Sequence, residues 1–230
     1  MEVDFIPEKH IERAACDLLF AYGRKYGEVA APPVPVEEML ECHLGLTMGF
    51  DDLPKRFGEP GILGATWIED KNVLIDQSLD PAENPRLEGR YRFTVAHEAG
   101  HWVLHRHQLI QARSAPLIDS ISQPSIICRA GGKKKPIESQ ADRFAGYLLM
   151  PEEMVLRHWT EMAGALEPYV AKDEILDLIA TLGLAEDEKP TVEIAKRMAG
   201  VFHVSGQAMQ IRLIKLGLIL TEKPPPSLFG

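Results

Sequence analysis

Five consecutive residues, His97-Glu98-Ala99-Gly100-His101, constrain this chain more than any other stretch. They lie within Arg92 to His107, where Phe93, Ala96, Gly100, Val103 and Leu104 form an apolar stripe at helical spacing. On a helix, side chains four residues apart project from one face about 6 Å from each other, so the imidazoles of His97 and His101 converge on one cation. Glu98 is turned about 100° from His97, off the cation and toward a water beside it, where a general base belongs. Two histidines are half of a tetrahedral site. Taken alone, the pentapeptide also reads as an ordinary core helix with two satisfied histidines, so its surroundings must decide.

A second helix is predicted over Ile137 to Met150, with Pro136 suited to its opening turn and Pro151 forbidding its continuation. Glu138 and Asp142 share one face of it, with Ala141, Ala145 and Leu148 alongside and Phe144 and Leu149 as a further apolar strip. Ala99 and Gly100 are small enough to let another helix approach closely. A carboxylate on such a helix is what a two-histidine site lacks.

Around these two helices the pattern is mixed. Pro7 opens a helix whose Ile11, Ala15, Leu18 and Tyr22 fall on one face, closed by Gly23 or Gly27. Ala31 to Pro35 is a stiff connector and Val36 to His43 a short helix stopped by Gly45. Leu46 to Phe50, Ala65 to Ile68 and Val73 to Ile75 read as strands of a small antiparallel sheet, and Ser125 to Cys128 as a further strand. Ser78 to Gly89 is a loop, and the lysines of Gly131 to Lys135 read as a solvated turn ahead of a contact to an acidic substrate. Helices follow over Glu152 to Ala163 and Tyr169 to Leu182, then a polar break at Glu186 to Pro190. Thr191 to Phe202 and Ser205 to Leu216 form a final helix pair with the spacing of a helix-turn-helix.

A chain of 230 residues, 45% hydrophobic, supports one good-sized core with a small appendage. No apolar run reaches the eighteen or so residues of a membrane span, and the start lacks the basic and apolar regions of a signal peptide, so a cytoplasmic location is expected. Cys16, Cys42 and Cys128 are odd in number with no CxxC pair, which points to buried thiols rather than a disulfide framework or a thiolate metal site. A net charge of −9 argues against a nucleic-acid surface covering the whole molecule.

The blocks Arg92-Phe93-Thr94-Val95-Ala96-His97-Glu98-Ala99-Gly100-His101, Glu138-Ser139-Gln140-Ala141-Asp142-Arg143-Phe144-Ala145 and Leu148-Leu149-Met150-Pro151 together resemble the ImmA/IrrE family of zincin-like metallopeptidases. The likeness extends upstream to Pro33 through Glu38 and the Gly64 to Asp76 strands, and downstream to Val204 through Met209; residues 164 to 190 are least similar. It implies an α+β zincin-like fold with a small mixed or antiparallel sheet, an active-site helix, a helix bearing a glutamate ligand, and helix-turn-helix-like helices at the C-terminal end. It divides the chain into a peptidase domain with N-terminal packing helices at 1–189 and a C-terminal subdomain at 190–230. His97, His101 and Glu138 are the implied ligands of zinc, with manganese as the alternative ion, Glu98 is the implied base, and Asp142 orients a histidine.

Three nitrogen and oxygen ligands leave a fourth position for water, as in catalytic rather than structural zinc sites. The oxyanion needs a further donor, for which Tyr147, His105, His107 and Arg143 are the candidates. An edge strand within Gly64 to Ile68 would hold an extended peptide by strand addition. The resemblance further implies cleavage of a helix-turn-helix repressor during stress or mobile-element regulation. The competing class is a DNA-binding regulator, or a toxin-antitoxin component, built on an inactive zincin, with Lys196, Arg197, Arg212 and Lys215 as phosphate contacts. Against it, Ile194, Met198, Met209, Ile211, Leu213 and Leu216 fit a packing subdomain, and the chain is acidic.

Overall fold

Helix α1, Glu8–Tyr26, buries Ile11, Ala15, Leu18 and Tyr22, the four residues its spacing selects. It stops at Gly27, whose φ of 111° is disfavoured for residues with a Cβ. The computed structural model describes residues 4–112, 124–129, 135–183 and 190–222. The lysine run at 131–134 and the polar break at 186–189 lie outside the described residues. Contacts divide the chain into two compact units, Met1–Leu149 and Met150–Gly230.

In the first unit, α2 (Val36–Glu38) continues as a π-helical turn, Met39–His43. Four strands follow, β1 (Thr47–Asp51), β2 (Ile62–Trp67), β3 (Asn72–Asp76) and β4 (Ile126–Arg129), in the order β1-β3-β2-β4. The sheet is mixed, because β1 pairs with β3 in parallel while β2 pairs antiparallel with both β3 and β4. A short helix, α3 (Leu53–Phe57), capped by the Asp52 side chain, lies between β1 and β2 in sequence. Strand β2 is therefore interior, and Gly64 to Ile68 is not the free edge expected from sequence. The Ile126–Arg129 strand covers it, with Thr66 opposite Ile126 and Gly64 opposite Cys128, which leaves β1 and β4 as the edges among the described strands.

Two long helices complete this unit, α4 (Glu88–Ala112) and α5 (Pro136–Leu149). They approach closely at Gly100, where an added Cβ would lie 3.0 Å from Phe144 Cδ1 and 3.3 Å from Ala141 Cα. Phe144 is fully buried at this crossing. The N-terminal half of α4 is tied down by Arg92, whose guanidinium donates to the Val34 carbonyl and, at 3.2 Å, to the Glu37 carboxylate. Buried and charged, it holds α4 to the segment leading into α2.

The second unit contains α6 (Glu152–Ala163), β5 (Tyr169–Val170), α7 (Lys172–Leu182), α8 (Glu193–Phe202), α9 (Gly206–Lys215) and β6 (Ile219–Leu220). The helix expected from Tyr169 begins only at Lys172. Tyr169 and Val170, an aromatic and a β-branched residue, instead form a parallel pair with β6, with Tyr169 N donating to Leu218 O at 2.8 Å. The α8–α9 turn passes through His203 in the left-handed region at φ 51°, and Ser205 caps α9 by accepting from Ala208 N. Gln210 fastens the start of this helix pair by accepting from Val192 N and donating to Pro190 O.

Arg212 Nε donates to Met150 O at 3.0 Å, and β5 pairs with β6, so residues after 190 are bonded to residues 150–170. The contact boundary falls at Leu149/Met150. Among the described residues no helix is long and apolar enough to cross a membrane.

Candidate metal centre

Helix α4 presents His97, His101 and His105 on one face because they recur every four residues. The nearest pair, His97 Nε2 and His101 Nε2, are 2.9 Å apart. From α5, Glu138 places one carboxylate oxygen 3.2 Å from His97 Nε2 and the other 3.5 Å from His101 Nε2. A tetrahedral zinc site with bonds of about 2.0–2.1 Å has ligand-to-ligand edges of about 3.3 Å. The two imidazole nitrogens, 2.9 Å apart, and the two Glu138 oxygens that face them, one each at 3.2 and 3.5 Å, converge on the scale of such edges, and two imidazoles with one carboxylate suit zinc chemically, so the residues fit the ion.

The outer face of each imidazole is engaged. His97 Nδ1 lies 3.0 Å from Asp142 Oδ1, one turn along α5 from Glu138. His101 Nδ1 lies 3.1 Å from His105 Nδ1, and His105 Nε2 lies 2.8 Å from Gln140 Oε1. Gln140 Nε2 donates to Asp4 O at 3.1 Å, so its Oε1 is the acceptor and His105 carries its proton on Nε2. His105 Nδ1 then accepts from His101 Nδ1–H, which leaves the His101 Nε2 lone pair directed at the centre. Hydrogen bonds of this kind fix the tautomer and ring angle of a ligating histidine.

Burial works to lower the pKa of His97, but the charges and hydrogen bonds of Cys128, Asp142 and Glu138 carry it well above the ordinary imidazole value. His101 is pushed down to about 4 by burial and then by the His97 charge. Burial pushes the Glu138 carboxyl up, but hydrogen bonds to His101 and His97 overcome it and hold it well below the usual range. The cluster thus accommodates one positive charge between its two imidazoles and stabilises it with carboxylates.

Glu98 points to the other side, toward β2. Thr66 Oγ1 donates to its Oε2 at 2.6 Å, while Oε1 is buried with no hydrogen-bond partner among the described residues. Gly64, two residues before Thr66 and so on the same face of the strand, leaves the room this carboxylate occupies. A Cβ there would overlap Glu98 Oε1 and stand 3.0 Å from its Cδ. Burial raises the Glu98 pKa to about 7, against the opposing influence of His97 and the Thr66 hydrogen bond.

The other sequence candidates are placed differently. Tyr147 is buried and donates its hydroxyl to Glu8 Oε1 at 2.6 Å, so it is committed to α1. His105 is committed to orienting His101. Arg143 and His107 are exposed. In the second unit Arg212 is buried with its guanidinium on a backbone carbonyl, and Lys196 pairs with Glu193 at 3.8 Å; Arg197 and Lys215 are exposed.

Three contributors escape the sequence reading. Gln140 and Gly64 are two of them. Cys128 is the third: its Sγ, a His97 ring nitrogen and a Glu138 oxygen all lie within 4.8 Å of one another. Burial pushes this thiol's pKa up, opposed by the adjacent His97. Cys16 and Cys42 are exposed, against the expectation of three buried thiols.

A family model described as the IrrE N-terminal-like domain, of the M78 peptidases, matches residues 82–213. That span contains every ligand candidate and Glu98. No curated protein matches the chain. Among solved structures it is similar to a Mycobacterium tuberculosis transcriptional regulator, at 15% identity and a TM-score of 0.43, over 90% of this chain and 52% of that one. The chain thus spans about half the length of that protein.

Proposed function

The chain belongs to the M78 peptidase family, that of the IrrE N-terminal-like domain, and from this premise we propose that it is a zinc-dependent endopeptidase acting on a protein substrate. The observation that carries the reading is the convergence of the His97 and His101 Nε2 atoms and the Glu138 carboxylate within 3.5 Å, with a buried, half-unpaired Glu98 on the same helix as the histidines. A divalent ion bound there supplies Lewis acidity to the peptide carbonyl and lowers the pKa of water.

The remaining work belongs to the chain. His97 and His101 are held in ligating tautomers by Asp142 and His105. Glu98 removes a proton from the attacking water through Oε1, its free oxygen, while Thr66 anchors Oε2. Glu98 then returns that proton to the leaving amine. Strand β4, an edge of the sheet among the described strands, is where an extended peptide would add, in place of Gly64–Ile68. An extended peptide must be flexible, which favours linkers over folded elements as the cleaved segment.

The resemblance to ImmA/IrrE peptidases supports a helix-turn-helix repressor as the natural substrate. The test is to incubate the protein with zinc or manganese and a helix-turn-helix repressor, taken first from the products of the neighbouring genes. Chelator-sensitive loss of the repressor band is expected, and Glu98→Gln should retain metal while cleaving at least about 100-fold more slowly. Cleavage by Glu98→Gln at the wild-type rate would remove the base assignment. The competing reading, a DNA-binding regulator on an inactive zincin, loses Arg212 of its four cations to Met150 O and a share of Lys196 to Glu193.

A further inference from the structure

Cys128 is the one cysteine of three that is buried, and it is the residue of β4 that pairs across from Gly64 in β2. Pleating alternates the side chains of β4, so Ile126 and Cys128 turn inward from this edge strand while Arg129 is exposed. The inward turn brings the thiol beside two of the three candidate ligands, His97 and Glu138. Its Sγ and ligand atoms of His97 and Glu138 come from three elements, β4, α4 and α5, and all lie within 4.8 Å of one another. Next to them sits Glu98 Oε1, buried and without a partner among the described residues.

We propose that Cys128 is a fourth protein ligand to the metal, occupying the position a hydrolytic water must take, so that the peptidase rests in a latent, closed form. The proposal rests on the reading of His97, His101 and Glu138 as metal ligands. Thiolate is among the preferred donors to zinc, with bonds of about 2.3 Å, and four protein ligands are the hallmark of structural rather than catalytic sites. A ligand set of two histidines, one glutamate and one cysteine therefore holds the ion firmly but leaves no place for water. Activity requires the sulfur to move off the ion. Cys128 stands on β4, an edge of the sheet among the described strands, so addition of a substrate strand there and release of the thiol act on one element.

Cobalt(II) separates the possible outcomes without relying on catalysis. The full-length protein, stripped of metal and titrated with cobalt(II), is compared with Cys128→Ala, Cys128→Ser and a Cys16→Ser/Cys42→Ser control. The expected result is tetrahedral ligand-field bands together with a near-ultraviolet thiolate-to-cobalt charge-transfer band. That band persists in the double control and is lost in both Cys128 variants, which keep the ligand-field bands. In parallel, the Cys128 variants cleave the repressor at least severalfold faster than wild type. Ligand-field bands without charge transfer in the wild type, or charge transfer that survives in Cys128→Ala, overturns the proposal while leaving the three-ligand site intact. Absence of all cobalt bands in the wild type overturns the metal site itself. Loss of charge transfer with no gain in cleavage rate overturns the latency.

Discussion

Side chains acting one against another decide the chemistry here, and Gly64 shows how narrow the tolerance is. Its missing Cβ is the space that Glu98 fills, so Gly64→Ala must push the carboxylate away from its Thr66 hydrogen bond. A displacement of about 1 Å in a catalytic group can cost on the order of 100-fold in rate, and the expected outcome is such a loss in kcat with metal content unchanged by elemental analysis. Full activity would mean that the position of Glu98 does not matter. Gln140 acts at one remove, through His105, on the tautomer of His101. Gln140→Leu is expected to weaken zinc binding about 10-fold, read by competition with a chromophoric chelator. The proton on His97 sets the direction of the pH response. Its pKa in the metal-free protein is raised by Cys128, Asp142 and Glu138 in spite of burial, so binding at neutral pH must expel that proton. Apparent zinc affinity should fall as pH falls below this raised pKa, by about tenfold per unit for each displaced proton; Cys128→Ala removes the thiol's proton from the balance, and a flat profile in that variant would contradict the assignment of His97.

Between elements, the controlling distance is the gap between α4 and α5, since it sets whether Glu138 reaches two histidines on another helix. Gly100 makes that gap small. Replacing it with alanine recovers about 1 kcal/mol of helix propensity, but overpacking costs about 1–3 kcal/mol. The two contacts that decide the sign, Phe144 Cβ at 3.2 Å and Ala141 Cα at 3.3 Å, belong to the backbone of α5 or are attached to it, and neither can yield without moving the helix. Gly100→Ala is therefore expected to lower thermal stability and zinc affinity together, measured by melting and by chelator competition. This gap was legible in the sequence because small residues beside an HExxH pattern and a carboxylate on a second amphipathic helix are both local signals. The helical faces were legible for the same reason, as in α1, where the four apolar residues at helical spacing are the four buried ones. Sheet order was not, because β4 reaches β2 only through pairing of distant segments, and with that pairing came both the loss of β2 as an edge and the arrival of Cys128 at the metal. Gly64 carries a readable sign, since a glycine inside a strand marks a close approach by another group. His105 and Gln140 likewise follow from the four-residue recurrence of histidine, once α5 is known to lie alongside.

At the scale of the whole molecule, the proposed ligands and the base all belong to Met1–Leu149, while the helix pair read as helix-turn-helix belongs to Met150–Gly230. Metal that binds only the folded state stabilises it by RT ln(1 + [L]/Kd), about 2.7 kcal/mol at a hundredfold excess over Kd. If the division by contacts is also a division of folding, that increment reaches one unit alone. Calorimetry of the full chain should then show two transitions, of which chelation lowers one and leaves the other in place. Hydrogen exchange identifies them: peptides from α4 and α5 should lose protection on chelation, whereas those from α8 and α9 should not. A single transition that shifts as a whole would show that the two units unfold together. A shift confined to α8 and α9 would place the metal elsewhere than His97, His101 and Glu138. The same experiment bears on the regulator reading, because of its four proposed phosphate contacts Arg212 is buried and Lys196 faces Glu193, in a chain of net charge −9. DNA contacts made by so few cations release few counterions, so any DNA binding should be weak at all salt concentrations, fall only shallowly with salt and be indifferent to chelation, while cleavage is abolished by it.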